Sequence, residues 1–145
     1  MERLEHLSRA LMRLSSVLEA QVETTIEQNA ALLEDANTAQ MNAGKRADGS
    51  EITPEYAPLT IAIKQIEGKP LFPTLKDRGD FHSSVVARLT GSKSFEMMAT
   101  DPKTEALMIR YGEEILGLSE ENLEEFRSAY LKPDLQQKAR ETLGI

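Results

Sequence analysis

The first forty residues contain neither Gly nor Pro, and Leu4, Leu7, Leu11, Leu14 and Leu18 recur within them at alternating spacings of three and four. Such a stripe is the signature of a helix with an apolar seam. Val22, Ile26 and Leu33 carry the seam onward at helical spacing. The pattern predicts one long helix over residues 1–38, about 50 Å long at 1.5 Å per residue. A domain of 145 residues is narrower than that. Its own chain cannot cover the whole stripe, so part of it is expected to pack between subunits.

The remainder is punctuated by breakers. Residues 39–55 hold two Gly, a Pro and a cluster of small polar side chains, which predicts a loop. Few of its residues are apolar, so the loop is expected to be mobile alone, with Ile52 as an anchor on a neighbouring subunit. Thr53-Pro54-Glu55 suits a helix start, and Tyr56, Leu59, Ile63 and Ile66 share one helical face before Gly68. A sharp turn is expected at Gly79. From Phe81 to Thr90 apolar and polar residues alternate, and Ser94 to Thr100 returns after Gly91-Ser92. That predicts a β-hairpin over about 81–100. Asp101-Pro102 and Ser119 are helix-start signals, Gly112 a helix end, and Lys132-Pro133-Asp134 a break between the last two helices. The expectation is a single α+β domain: a long helix over 1–38, a loop over 39–55, a short helix plus hairpin over 56–100, and helices over 101–145.

Charge and composition exclude several functions. The net charge is −7. It divides as −4 over residues 1–40, +1 over 41–100 and −4 over 101–145. Polyanion binding needs clustered Lys and Arg. The runs here are Glu113-Glu114, Glu120-Glu121 and Glu124-Glu125, so direct sequence-specific nucleic-acid binding is not expected. The scattered cations Lys64, Lys69, Lys76, Arg78, Arg88 and Lys93 read as solvated surface. No stretch approaches the ~20 apolar residues of a membrane span. There is no Cys and there are only two His, so no metal site is expected. His82 lies among Ser83, Ser84, Asp77 and Asp80, but a catalytic triad needs side chains that converge. On a strand His82 and Ser83 would point to opposite faces. No phosphate-binding glycine motif occurs. The expectation is a protein without catalysis or cofactor.

The order of the middle segments carries a family resemblance. Asp48-Gly49 leads to Pro58-Leu59 and then Lys64. Next comes the run from Leu75 through Gly79, Phe81 and Ser84 to Val85, and later Tyr111-Gly112. Over roughly residues 20–143 this resembles the virion morphogenesis family of tailed phages and prophages, which includes tail-completion and neck proteins. Arg78 stands where that family more often has Thr. Glu113-Glu114-Ile115 replaces its usual Pro/Arg-rich stretch. The resemblance implies a structural virion protein at the head–tail junction or tail terminus, acting as copies in a ring. Its partners would be itself and other connector, portal or tail proteins. Its location would be the virion, and the host cytoplasm during assembly. The rival reading is a small adaptor or regulatory protein that dimerises through a Leu4–Leu18 coiled coil.

Overall fold

The computed structural model describes residues 2–76, 79–91 and 93–145, and it is an α+β fold. Helix α1 spans Glu2–Gln28 and α2 spans Ala30–Asn42. Asn29 divides what the sequence predicts as one helix. Its side-chain amide donates to the Thr25 carbonyl at 2.8 Å, in competition with the backbone bonds that carry a helix onward. Helical bonding still crosses the break, since Leu33 N–H donates to the Asn29 carbonyl at 3.1 Å. Helical structure also runs four residues past the expected end, to Asn42.

A second long helical run lies antiparallel to this one. It comprises α6 (Glu120–Phe126), a five-residue π turn (Arg127–Leu131) and α7 (Lys132–Leu143). Gln40 accepts from Ser119 N–H and from the Asn122 amide, both at 2.7 Å. Thr25 donates to the Asp134 carboxylate at 2.8 Å. These two points fix the direction. The break expected at Pro133 is absent. Lys132 N–H reaches back five residues to the Arg127 carbonyl, and Pro133 falls in the first turn of α7, where no N–H is needed. Ser119 caps α6 as the sequence predicts, its hydroxyl accepting from Asn122 N–H at 3.1 Å.

The hairpin is shorter than predicted. Strand β1 is Val85–Leu89 and β2 is Phe95–Ala99, antiparallel, with Ala87 opposite Met97. Residues Asp80–Ser83 form a helical turn, α4, instead of strand. Ser83 Oγ donates to the Gly79 carbonyl at 2.7 Å and Ser84 Oγ to the Phe81 carbonyl at 2.9 Å. These hydroxyl bonds hold the turn and override the alternating pattern. Strand β1 lies along α2, where the Glu34 carboxylate accepts from Ala87 N–H at 2.9 Å.

Helix α3 (Pro58–Glu67) begins at Pro58, not at Thr53-Pro54. Pro58 pushes Ala57 to extended backbone, at φ −61 and ψ 149. Helix α5 (Thr104–Tyr111) ends at Gly112 as expected, and a 3₁₀ turn follows at Glu113–Ile115. The core joins Ile26, Leu33 and Met41 of α1–α2 to Val85 and Met97 of the hairpin, with Ile115, Leu118 and Phe126 closing it. Each such side chain contributes about 1.5–3 kcal/mol by leaving water.

Candidate assembly surface

Polar side chains inside the fold set the position of its surfaces. Asn37 is fully buried on α2. It donates to the Ile115 carbonyl at 3.0 Å and accepts from Gly117 N–H at 2.9 Å. One turn on, Gln40 donates to the Gly117 carbonyl at 2.9 Å. The two amides therefore clasp the 115–119 segment, which links the 3₁₀ turn to α6. Arg46 does the same for the loop after α2. Its Nε donates to the Tyr111 carbonyl at 2.7 Å, and its terminal nitrogens reach the Glu51 and Thr53 carbonyls at 2.6 and 2.8 Å. A planar fork of donors suits three converging carbonyls.

This network overturns the expectation of a mobile 39–55 loop docking through Ile52. Ile52 is 2% exposed and belongs to the chain's own core. Ala47 N–H donates to the Glu114 carbonyl at 2.8 Å, which ties the loop to the 3₁₀ turn. Asp48 accepts from Ser50 N–H at 2.9 Å and from the Ser50 hydroxyl. Those two bonds, led by the hydroxyl, hold its carboxyl below the usual range. Gly49 turns beside it at φ +86.

His82 is buried, and its Nε2 donates to the Thr74 carbonyl at 2.7 Å. Burial lowers its affinity for a proton, the Thr74 bond opposes that, and the nearby Lys76 charge lowers it further. Ser83 and Ser84 spend their hydroxyls on backbone carbonyls, so neither addresses the ring. Of the other motif residues, Phe81 and Tyr111 lie in the core. Leu75 packs against it in left-handed backbone at φ +62, uncommon for a branched side chain. Gly79 has φ +89 and Gly112 φ +95. The predicted turn at Gly79 is there. Asp77, Arg78 and Ser92 lie outside the described residues.

Of the exposed large apolar side chains, two groups lie toward the two ends of the helical rod, while Leu32, Ile109, Tyr130 and Ile145 stand singly elsewhere. At the start of α1, Leu4 and Leu11 are 64% and 54% exposed and Met12 is 82% exposed. Leu7, Leu14 and Leu18 are half-buried. At the other end, past α2, helix α3 has no buried residue. Thr60, Ile61 and Lys64 are its partly covered side, with Lys64 over the Tyr56 ring at 4.7 Å. Its apolar stripe faces outward: Leu59 is 73% and Ile66 88% exposed, with Ile63 between them. Leu71 and Phe72 add to this surface. The Phe72 ring lies so near Gly44 that a Cβ there would meet it at 2.6 Å, which fixes the segment after α3 against the end of α2. The sequence marks the α1 stripe. It also gives the apolar face of α3, but not that this face is turned to solvent.

Among the described residues no group of three or more His, Cys, Asp or Glu is placed to hold a metal ion, and no helix is long and apolar enough to cross a membrane. No protein-family model, curated protein or solved structure matches the chain.

Proposed function

We propose that this chain is a structural virion protein of the tailed-phage or prophage type. It acts at the head–tail junction or tail terminus by assembling into a ring, with other connector, portal or tail proteins as neighbours and without catalysis. One observation carries the assembly half of this reading. Apolar side chains stand in water toward both ends of the α1–α2 rod, while Ile26, Leu33 and Met41 between them are buried in the core. Exposed apolar surface concentrated in this way marks a contact site. The virion half rests on the order of Asp48-Gly49, Pro58-Leu59, Leu75 to Val85 and Tyr111-Gly112 along the sequence.

The environment of His82 supports a role without chemistry. A histidine that gives its Nε2 proton to a backbone carbonyl, with both neighbouring serines bonded elsewhere, is not arranged as a general base. The coiled-coil adaptor reading fits less well. A symmetric seam over Leu4–Leu18 needs its C-terminal half as well, and there Leu14 and Leu18, with Val17 beside them, are already half-covered.

Removal of the coding sequence from the phage or prophage that carries it tests the reading. Filled heads and separate tails are expected, with no joined infectious particles, and supply of the protein in trans should restore joining. Normal particle yield without it would overturn the reading.

A further inference from the structure

We infer that the outward stripe of α3 is the seat for the exposed start of α1 from a second copy of this chain, the two helices lying antiparallel. The inference rests on the assembly reading above and gives that assembly its contact.

The two surfaces cannot satisfy each other within one molecule. They are at opposite ends of the α1–α2 rod, which the antiparallel run from Ser119 to Leu143 holds extended: Gln40 meets Asn122 and Thr25 meets Asp134. From Leu4 to Thr25 is about 30 Å along the helix, and α3 lies beyond the far end of α2. A second copy supplies what the first lacks, and each copy then has one surface of each kind still to fill. Contacts of that head-to-tail kind close into rings or run on as filaments.

The spacing of the side chains and their exposure together fix the direction. On α3 the stripe is Leu59, Ile63, Ile66, with intervals of four and then three. On α1 it is Leu4, Leu7, Leu11, with intervals of three and then four. Helices packed along such seams interlock only when their intervals coincide. They coincide when one helix is reversed, so that Leu59 meets Leu11, Ile63 meets Leu7 and Ile66 meets Leu4; the parallel match, over Leu7, Leu11 and Leu14, would put half-buried Leu7 and Leu14 opposite Leu59 and Ile66 in place of the exposed Leu4 and Leu11. The charges agree with that direction. Reversal places Glu67 at Arg3 and Glu55, just ahead of α3, toward Arg13. Among the described residues Glu55, Arg3 and Arg13 have no ion-pair partner, while Glu67 pairs with Lys69 at 3.0 Å in the single chain. Over the same Leu4, Leu7 and Leu11 the parallel arrangement instead brings Lys64 to Arg9, two like charges, and sets the middle residues out of step.

The absence of cysteine makes the test direct. Single-cysteine variants Leu4→Cys, Leu11→Cys, Leu59→Cys and Ile66→Cys are prepared, each at an exposed position and each checked for native circular dichroism. They are mixed in pairs and oxidised. Leu4→Cys with Ile66→Cys, and Leu11→Cys with Leu59→Cys, should give a disulfide-linked dimer at least ten times more abundant than Leu11→Cys with Ile66→Cys. The reverse ranking would overturn the antiparallel register. Equal linkage within Leu4→Cys alone would show a symmetric contact and overturn the head-to-tail pairing. Light scattering on the unsubstituted protein separates the remaining outcomes. An oligomer without the predicted links overturns this contact and leaves assembly standing, and a monomer at every concentration overturns both.

Discussion

Helices α2 and α3 flank the same loop and are of similar length, thirteen and ten residues, yet they use their faces in opposite ways. α2 turns polar Asn37 and Gln40 inward, where each finds its hydrogen bonds. α3 turns Leu59, Ile63 and Ile66 outward, where each keeps about half or more of its surface in water. In α2 a wrong atom costs folding free energy, because a buried polar group without a partner is expensive. In α3 the same kind of change is nearly free to the fold. The side chains that hold the molecule together and those available to join it to others thus lie on neighbouring helices.

The strongest challenge to this contrast is Asn37→Leu. It leaves the buried Ile115 carbonyl and the part-buried Gly117 N–H without their partner and should cost about 3 kcal/mol. Urea unfolding reads this as a lowered midpoint, with a melting temperature lower by roughly 10 °C. An unchanged midpoint would mean that the 115–119 segment is held by its apolar neighbours alone.

Gly79→Ala should cost about 1 kcal/mol. A Cβ there has room, since its nearest neighbour is Lys76 Cε at 3.9 Å. The cost comes only from left-handed backbone at φ +89. A loss well above that in the same unfolding measurement would point to a clash instead of backbone strain.

The His82 contribution is read through pH. Its affinity for a proton is lowered in the folded chain, so the unfolded chain binds the proton more readily. The stabilisation is complete above the unfolded value of 6.5. It is lost as pH falls below that and through the lowered folded value. Unfolding midpoints at pH 8 and pH 5.5 should differ more for the parent than for His82→Gln. Equal differences would place the ring's protonation outside the folding equilibrium.

The smallest effect on folding, and the sharpest statement of the contrast, is Ile66→Lys. A lysine near the end of α3 is compatible with the helix dipole, and an exposed substitution should stay within about 0.5 kcal/mol. Its effect belongs to association, which light scattering should show weakened at least tenfold. A folding loss of 2 kcal/mol would mean that the α3 stripe is covered within the single chain.

How much of this was legible in the sequence follows from what each signal encodes. The α+β class, the hairpin, the cap at Ser119 and the turn at Gly79 are local, because spacing or one residue type specifies each. Periodicity gave α3 its apolar face, but which way that face turns depends on Phe72 against Gly44 and on Tyr56 beneath Lys64, contacts that no local pattern contains. Asn29 and Asn37 are chemically alike and eight residues apart on one helical pattern. One breaks the helix and the other clasps a distant segment, and only the position of residues 115–117 tells them apart. Arg46 was hidden for the same reason. Its three carbonyl partners are sixty-five, five and seven residues away in sequence. Ile52 was mistaken for an external anchor because a polar loop was expected to lack a core of its own.

The Glu34 carboxylate on the Ala87 N–H has a consequence for how the sheet can grow. Paired residues alternate along the hairpin, with Thr90 bonded to Ser94 and Thr100 to Ser84, so Ala87 and Met97 direct their backbone groups away from each other. On the β1 side that outward N–H is occupied. On the β2 side no hydrogen bond among the described residues reaches the outward backbone of Phe95, Met97 or Ala99. In the vocabulary of polymer chemistry the hairpin is at most monofunctional: with the β1 edge occupied, no more than one edge is left on which a further strand could add. A building block with two reactive edges propagates into a fibre, and one with a single reactive edge cannot. Helix α2, which lies along β1 and places Glu34 on its outward N–H, therefore keeps the hairpin from propagating through both of its edges.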